Sequence, residues 1–285
     1  EVEGLGTIGS FNDVAARTGV VPSGILPPDL SNLDSLWKTP TGLAAYDIGF
    51  GTVFFDMEND GDQDLYWLGS LVARGEGPGG DFAPGFGRML QNVGPGEFKD
   101  VTVEARLLDA LGVDYSLLDP SDPSFDRFAR RIGPEFHENG KGLAKGDVNG
   151  DGFTDLIGTN SNGETLDASG DRVVVSGPLF VWLNGGGANH WITLRLKGRM
   201  AVDGTGSNAD AIGARVTLTA AGFDGEPMTQ VQEVLGSSSF LSMSSLDLNF
   251  GLGAATTIAS ITIRWPNGGV QQIAGLELNR VHEII

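Results

Sequence analysis

The sequence predicts an all-β protein in two parts, a region of strand–loop repeats followed by a β-sandwich-like C-terminal domain. Three observations carry this expectation. Short apolar runs of alternating character recur along the chain, as in "WITLRL" and "ITIRW". Glycine contributes 44 of 285 residues, which favours many turns over long helices. One acidic loop motif occurs twice, each time between two β-like runs. With 40% hydrophobic residues, the chain can bury a sizeable core.

The two loops are "DMENDGDQD" (Asp56–Asp64) and "DVNGDGFTD" (Asp147–Asp155). Aligned, they pair Asp56 with Asp147, Glu58 with Asn149, Asp60 with Asp151, Gly61 with Gly152 and Asp64 with Asp155. Oxygen-bearing side chains thus stand at positions 1, 3, 5 and 9, with glycine at 6. Calcium requires this kind of set, because a hard cation takes six to eight oxygens and a tight loop turns alternate residues inward. Position 7, held by Asp62 and Phe153, is expected to offer its backbone carbonyl. Asp, Asn and Gly also form turns with no metal. The shared register, in the same strand context, is what favours two Ca²⁺ sites. The shorter ligands of the second loop predict the more regular geometry there. Neither loop is an EF-hand: Trp67 and Gly158 stand where the bidentate glutamate belongs.

The repeat extends beyond the loops. "RMLQNVGPGEFKDVT" follows the first and "PLFVWLNGGG" the second, and "GSFNDVAARTGV" at Gly9–Val20 echoes "GEFKDVTVEARL" at Gly96–Leu107. The unit is strand, acidic loop, strand, L-x-N strand and F-x-D-V strand. We place repeats at about 45–105 and 141–185, with an insert at 106–140 carrying a short helix over Ser124–Ile132. Charge marks the end of this region. Residues 186–285 hold six Lys/Arg against eight Asp/Glu, a net of −2, which leaves twelve against 29, a net of −17, in residues 1–185. The domain boundary is therefore set at 185/186, and calcium is expected to stabilise the first part with little effect on the second. In 189–285 about seven short alternating strands predict the sandwich, with Ile192, Leu194 and Leu196 on one face, and Ile261, Ile263 and Trp265 on another.

These motifs resemble a family. The loop units look like FG-GAP/VCBS repeats, the calcium-loop blades of β-propellers. The tail looks like a UnbV/ASPIC domain of the cartilage acidic protein type, on "NHWITLRLKG", "SNADAIGARVTL", "NFGLG" and "ITIRWPNGGVQ". Glu58 and Ala209 depart from the family's usual residues. The resemblance implies a partial propeller-like region, since two repeats cannot close a ring of about four to eight blades. Upstream blades, hidden degenerate blades or an open arrangement would each account for this. The "FNDV" stretch would be either the outer strand of a blade begun elsewhere or a closing strand for the last blade.

Composition narrows function. A formal net charge of −19 argues against nucleic acid and against an anionic membrane surface. No run approaches a membrane span, and no signal peptide is visible. Glu1 stands where a methionine would begin a complete chain, as in a processed or partial one. There is no cysteine, and His137, His190 and His282 lack zinc-ligand spacing. His190 is expected to pack or hydrogen-bond. "GSSSFLSMSS" lacks the nucleophile elbow of an esterase and reads as a polar strand and turn. The expectation is a non-enzymatic, calcium-binding module, secreted or periplasmic, that binds another protein or an extracellular glycan. The alternatives are an accessory domain or enzyme acting on polysaccharide, and a subunit of a larger surface assembly.

Overall fold

The computed structural model describes residues 49–285 except 75–80, 85–86, 95–96, 103, 109–122, 124–138 and 222–226. The N-terminal "FNDV", the helix expected at Ser124–Ile132, His137 and most of the 106–140 insert lie outside the described residues. Among the described residues there is no α-helix, and the one helical turn is the 3-10 segment Arg199–Ala201.

The first acidic loop joins β1 (Gly49–Phe55) to β2 (Asp64–Gly69). A hairpin of β3 (Leu71–Arg74) and β4 (Asp81–Pro84) follows, then β5 (Arg88–Gly94) and β6 (Glu97–Asp100). These make a four-stranded antiparallel sheet in the order β1-β2-β5-β6, with the hairpin set apart. The second loop joins β7 (Asn139–Gly146) to β8 (Asp155–Ser161). Another two-stranded hairpin, β9 (Gly163–Leu166) with β10 (Arg172–Val175), leads to β11 (Leu179–Trp182). This sheet has three strands, in the order β11-β8-β7. Both units therefore share one plan, including an inserted hairpin that the sequence reading missed.

The two sheets meet through their first strands. A Cβ on Gly51 of β1 would lie 2.5 Å from Leu143 Cβ of β7, so glycine is what lets the strands approach. Alternation does the rest: Val53 and Phe55 of β1, with Tyr66 and Leu68 of β2, point into a cluster shared with Met89, Leu143 and Leu156. Burying each such large side chain contributes about 1.5–3 kcal/mol. A buried ion pair, Arg88 with Asp100 at 3.1 Å, crosses from β5 to β6.

The C-terminal strands are β12 (His190–Leu196), β13 (Arg215–Ala221), β14 (Pro227–Glu233), β15 (Leu248–Gly253), β16 (Ile258–Arg264), β17 (Val270–Ile273) and β18 (Val281–Ile284). They form two sheets, β15-β12-β18 and β14-β13-β16-β17. The β12–β18 pair is parallel and the others antiparallel. Ile192 and Leu194 from one sheet meet Val216, Leu218, Ile261 and Ile263 from the other in a single core. This is the expected seven-stranded sandwich, and Ile192, Leu194 and Leu196 share the inward face. His190 hydrogen-bonds Asn279, as a packing histidine would.

Candidate metal centre

Each acidic loop is wired by its own carboxylates. In the first, Asp56 accepts the amides of Asp60 (3.0 Å) and Gly61 (2.8 Å), and Asp60 accepts that of Asp62 (3.0 Å). Asp64 accepts the amides of Met57 and Asn92, both at 2.8 Å. In the second, Asp147 accepts the amides of Gly150 (2.8 Å), Asp151 (3.1 Å) and Gly152 (2.8 Å). Asp151 accepts that of Phe153 at 2.9 Å. Asp155 accepts the amides of Val148 (2.8 Å) and Asn184 (2.7 Å). The ninth residue thus ties each loop's start to its own L-x-N strand. Positions 4 and 6 both take positive φ: Asn59 at 59° and Gly61 at 102°, Gly150 at 78° and Gly152 at 88°. The left-handed residue at position 4 is asparagine in one loop and glycine in the other, the residue types that most readily adopt that conformation.

The loops differ in what they gather. Ligand oxygens of Asp56, Glu58 and Asp64 lie within 4.8 Å of one another, the one such group of three acidic or histidine side chains among the described residues. Glu58, a departure from the residue usual at position 3, takes part in this cluster. Gln91 donates to one Glu58 oxygen, while the other is buried with no hydrogen-bond donor to it among the described residues, as is one oxygen of Asp62. In the second loop Asp151 turns instead to the side chain of Asn149, at 2.7 Å. The second loop therefore has the fuller set of amide bonds, and the first has the closer convergence of acids.

That convergence is electrostatically costly without a counter-charge. Burial pushes the Asp64 carboxyl up to about 8, against the pull of its two amides. Burial likewise raises Asp56 to about 7, helped by Asp60 and Glu58, and Asp62 to about 6. Lys145, at the end of β7, gives its Nζ to the Phe54 carbonyl at 2.5 Å, and burial lowers its pKa to about 8.

The donors that face the first loop are oxygens only, the chemistry of a hard divalent cation rather than of zinc. Asp56, Glu58 and Asp64 are the residues placed to hold it. Asp60 and Asp62 sit at the rim of the same loop. Phe153 has a role beyond its carbonyl, since its ring packs against the turn at Gly186 and Gly187.

The sandwich sits on these loops. Gly253 N–H donates to the Asn59 carbonyl at 2.8 Å, and Asn189 donates to the Glu58 carbonyl at 3.0 Å. The Gly152 carbonyl accepts from both Asn59 (3.0 Å) and Asn249 (2.8 Å), joining the two loops and β15 at one atom. A Cβ on Gly152 would fall 1.8 Å from the Trp191 ring, and one on Gly61 2.3 Å from Met228 Sδ. The glycine at position 6 thus serves the domain contact as well as the turn. Beside this seam lies a cleft of about 300 Å³ lined by Asp56, Asp147, Lys145, Glu233, Ser244 and Asp247. Hydrogen bonds and packing thus cross the 185/186 boundary that the charge distribution marks.

Residues 204–285 match the family model described as ASPIC and UnbV. No curated protein matches the chain. The matched residues contain β13 to β18, whereas β12, the central strand of β15-β12-β18, precedes them. The folded sandwich is therefore larger than the matched segment. No helix among the described residues is long and apolar enough to cross a membrane.

Proposed function

We propose that the acidic loops hold divalent cations, calcium by their donor chemistry, and that the chain is a calcium-stabilised interaction module of FG-GAP/VCBS type. The observation that supports this best is the gathering of Asp56, Glu58 and Asp64 within 4.8 Å, with Asp64 fully buried. Three acids so placed repel one another unless a cation or protons neutralise them. In this reading the first site uses Asp56, Glu58, Asp60, Asp64 and the Asp62 carbonyl. The second uses Asp147, Asn149, Asp151, Asp155 and the Phe153 carbonyl. The cations bind structure rather than catalyse, and the partner is another protein or an extracellular glycan. A compartment with millimolar calcium, outside the cell or in the periplasm, suits sites of this open kind.

Thermal unfolding in calcium and in chelator tests the reading. At a ligand concentration of about 100 times Kd, each site adds about 2.7 kcal/mol, so calcium raises the melting temperature and magnesium or zinc at the same concentration raises it less. The pH dependence separates cation from proton. In chelator the folded-state values for Asp62, Asp56 and Asp64, about 6, 7 and 8, exceed the ordinary 3.8. The folded state then binds more protons than the unfolded chain, so stability falls as pH rises from about 4 to 8. Calcium removes that fall by holding the ionised form. Identical melting curves in calcium and chelator across this range would overturn the proposal.

A further inference from the structure

The end of the sandwich remote from the acidic loops carries a pocket of its own. β12 meets the second loop at Trp191 and is seven residues long, so its other end lies about 20 Å away. There a pocket of about 190 Å³ opens between the 3-10 turn, the loop that follows it and the β16–β17 turn. Lys197, Arg199, Ser207, Trp265, Asn267 and Gln271 line it. The chain is tightly folded on both sides. The Gly198 amide donates to the Ala209 carbonyl at 3.0 Å, and a Cβ on Gly198 would fall 1.8 Å from the Asn208 carbonyl oxygen. Across the pocket, the Trp265 amide donates to the Gly269 carbonyl at 2.8 Å and the Gly268 amide to that of Trp265 at 2.9 Å.

The pocket offers donors and has spent its acceptors. Two of the six Lys/Arg of residues 186–285 stand in it, and no carboxylate side chain lines it. Asn267 Oδ1 accepts the Gly269 amide at 3.0 Å, and Gln271 Oε1 accepts the Trp265 indole N–H at 2.9 Å. These bonds fix both amides, and their N–H₂ groups are left with no acceptor among the described residues. Ser207 is 6% exposed, and its Oγ is buried with no hydrogen-bond partner among the described residues. Buried hydroxyls are rarely left so. The cations have only surface partners: Lys197 faces Glu283 at 2.6 Å, and Arg199 gives one N–H to Asp203. Exposed pairs of this kind contribute little, so an incoming acid can compete for these donors. Unfilled donors around two cations select an anion.

We propose that this pocket binds an acidic sugar, a uronate or a sugar sulfate carried by a glycan. The acid group takes the free N–H groups of Arg199 and Lys197, the guanidinium through its planar fork. One carboxylate offers about four lone-pair sites, fewer than the N–H and O–H groups left over here. The hydroxyls and ring oxygen of a sugar supply the rest to Asn267, Gln271 and Ser207, whereas an Asp or Glu side chain has only methylenes beside its acid. Trp265 and the exposed Val270 form an apolar wall for the C–H face of the ring. The volume is below the roughly 300–1,000 Å³ of pockets for drug-sized ligands, which suits a single sugar unit. The proposal rests on the reading of the chain as an interaction module, whose glycan arm it specifies, and on none of the cation ligands.

NMR titration of the natural chain tests this. The chain has five tryptophans, and the Trp265 indole N–H resonance is assigned by its loss in Trp265→Phe. Glucuronate and glucose 6-sulfate should each shift it saturably, in calcium and in chelator alike, and glucose at the same concentration should not. Lys197→Ala/Arg199→Ala should weaken glucuronate at least tenfold. Arg199→Lys should weaken it less, because an ammonium keeps the charge and loses the fork. Both side chains are exposed, so the double variant should keep the natural melting temperature. No saturable shift with either acid, or unchanged affinity in the double variant, would overturn the proposal. Inorganic sulfate binding as tightly as glucuronate would make this a bare anion site, and N-acetylglutamate doing so would make it an acidic-peptide site; either result overturns the sugar. Shifts that vanish in chelator would tie the sugar to the acidic loops and overturn the assignment to this pocket. Calcium binding by the loops is read in a separate titration, so failure of the pocket and failure of the cation sites are told apart.

Discussion

Gly251→Ala is expected to separate the sandwich from the acidic loops. A Cβ at this position of β15 would lie 2.0 Å from Asp56 Oδ2 and 2.5 Å from the Asn59 backbone. Neither neighbour can give way cheaply. Asp56 Oδ2 is held by the Gly61 amide at 2.8 Å, and the Asn59 carbonyl takes the Gly253 amide at 2.8 Å. Overpacking of this sort costs about 1–3 kcal/mol even where side chains can shift. Here backbone must move, so the loss should reach or exceed the top of that range. The control is Gly185→Ala, whose Cβ would meet nothing within 4 Å. It should fall within about 0.5 kcal/mol of the natural protein. Urea unfolding gives the energies, and exchange at the Asn189–Ile192 amides reports the seam. Equal stability of the two variants would mean that the loops and β15 do not meet in solution.

Asp64→Ala is expected to be the most damaging change within a loop. Asp64 is 0% exposed, and its two oxygens satisfy the Met57 and Asn92 amides. Removing it leaves two part-buried donors without acceptors, at up to about 1–3 kcal/mol each. The proposed cation loses a ligand as well. Against a typical domain stability of about 5–15 kcal/mol, this variant folds poorly or only in cold buffer. Asp64→Asn separates the two effects. It keeps one acceptor oxygen and removes the charge, so it should fold better than the alanine variant while gaining less from calcium than the natural protein. If Asp64→Asn and the natural protein gain equally from calcium, Asp64 is a structural acceptor and not a ligand.

Much of this arrangement was legible in the chain. Period-two alternation placed Ile192, Leu194 and Leu196 on the sandwich's inward face, because one buried sheet face leaves no other register. The matched spacing of the acidic residues located both loops between strands. What the spacing did not carry was everything set by tertiary approach. The glycines at 61 and 152 read as turn residues, and nothing local announced Met228 or Trp191 against them. Lys145 stood outside any motif, yet it reaches the Phe54 carbonyl 91 residues away in sequence. The convergence of Glu58 with Asp56 and Asp64 depends on a side-chain path that the one-letter pattern treats as a departure. The acidic composition of residues 1–185 marked a boundary of charge, whereas the backbone carbonyls of Asn59, Glu58 and Gly152 that accept across it left no mark in the sequence.

Calorimetric titration of metal-stripped protein with calcium tests the central claim most directly. The account predicts saturable binding to two sites in the natural chain, and to one site in Asp64→Asn with the second loop intact. Absence of saturable calcium binding at millimolar concentration would contradict it.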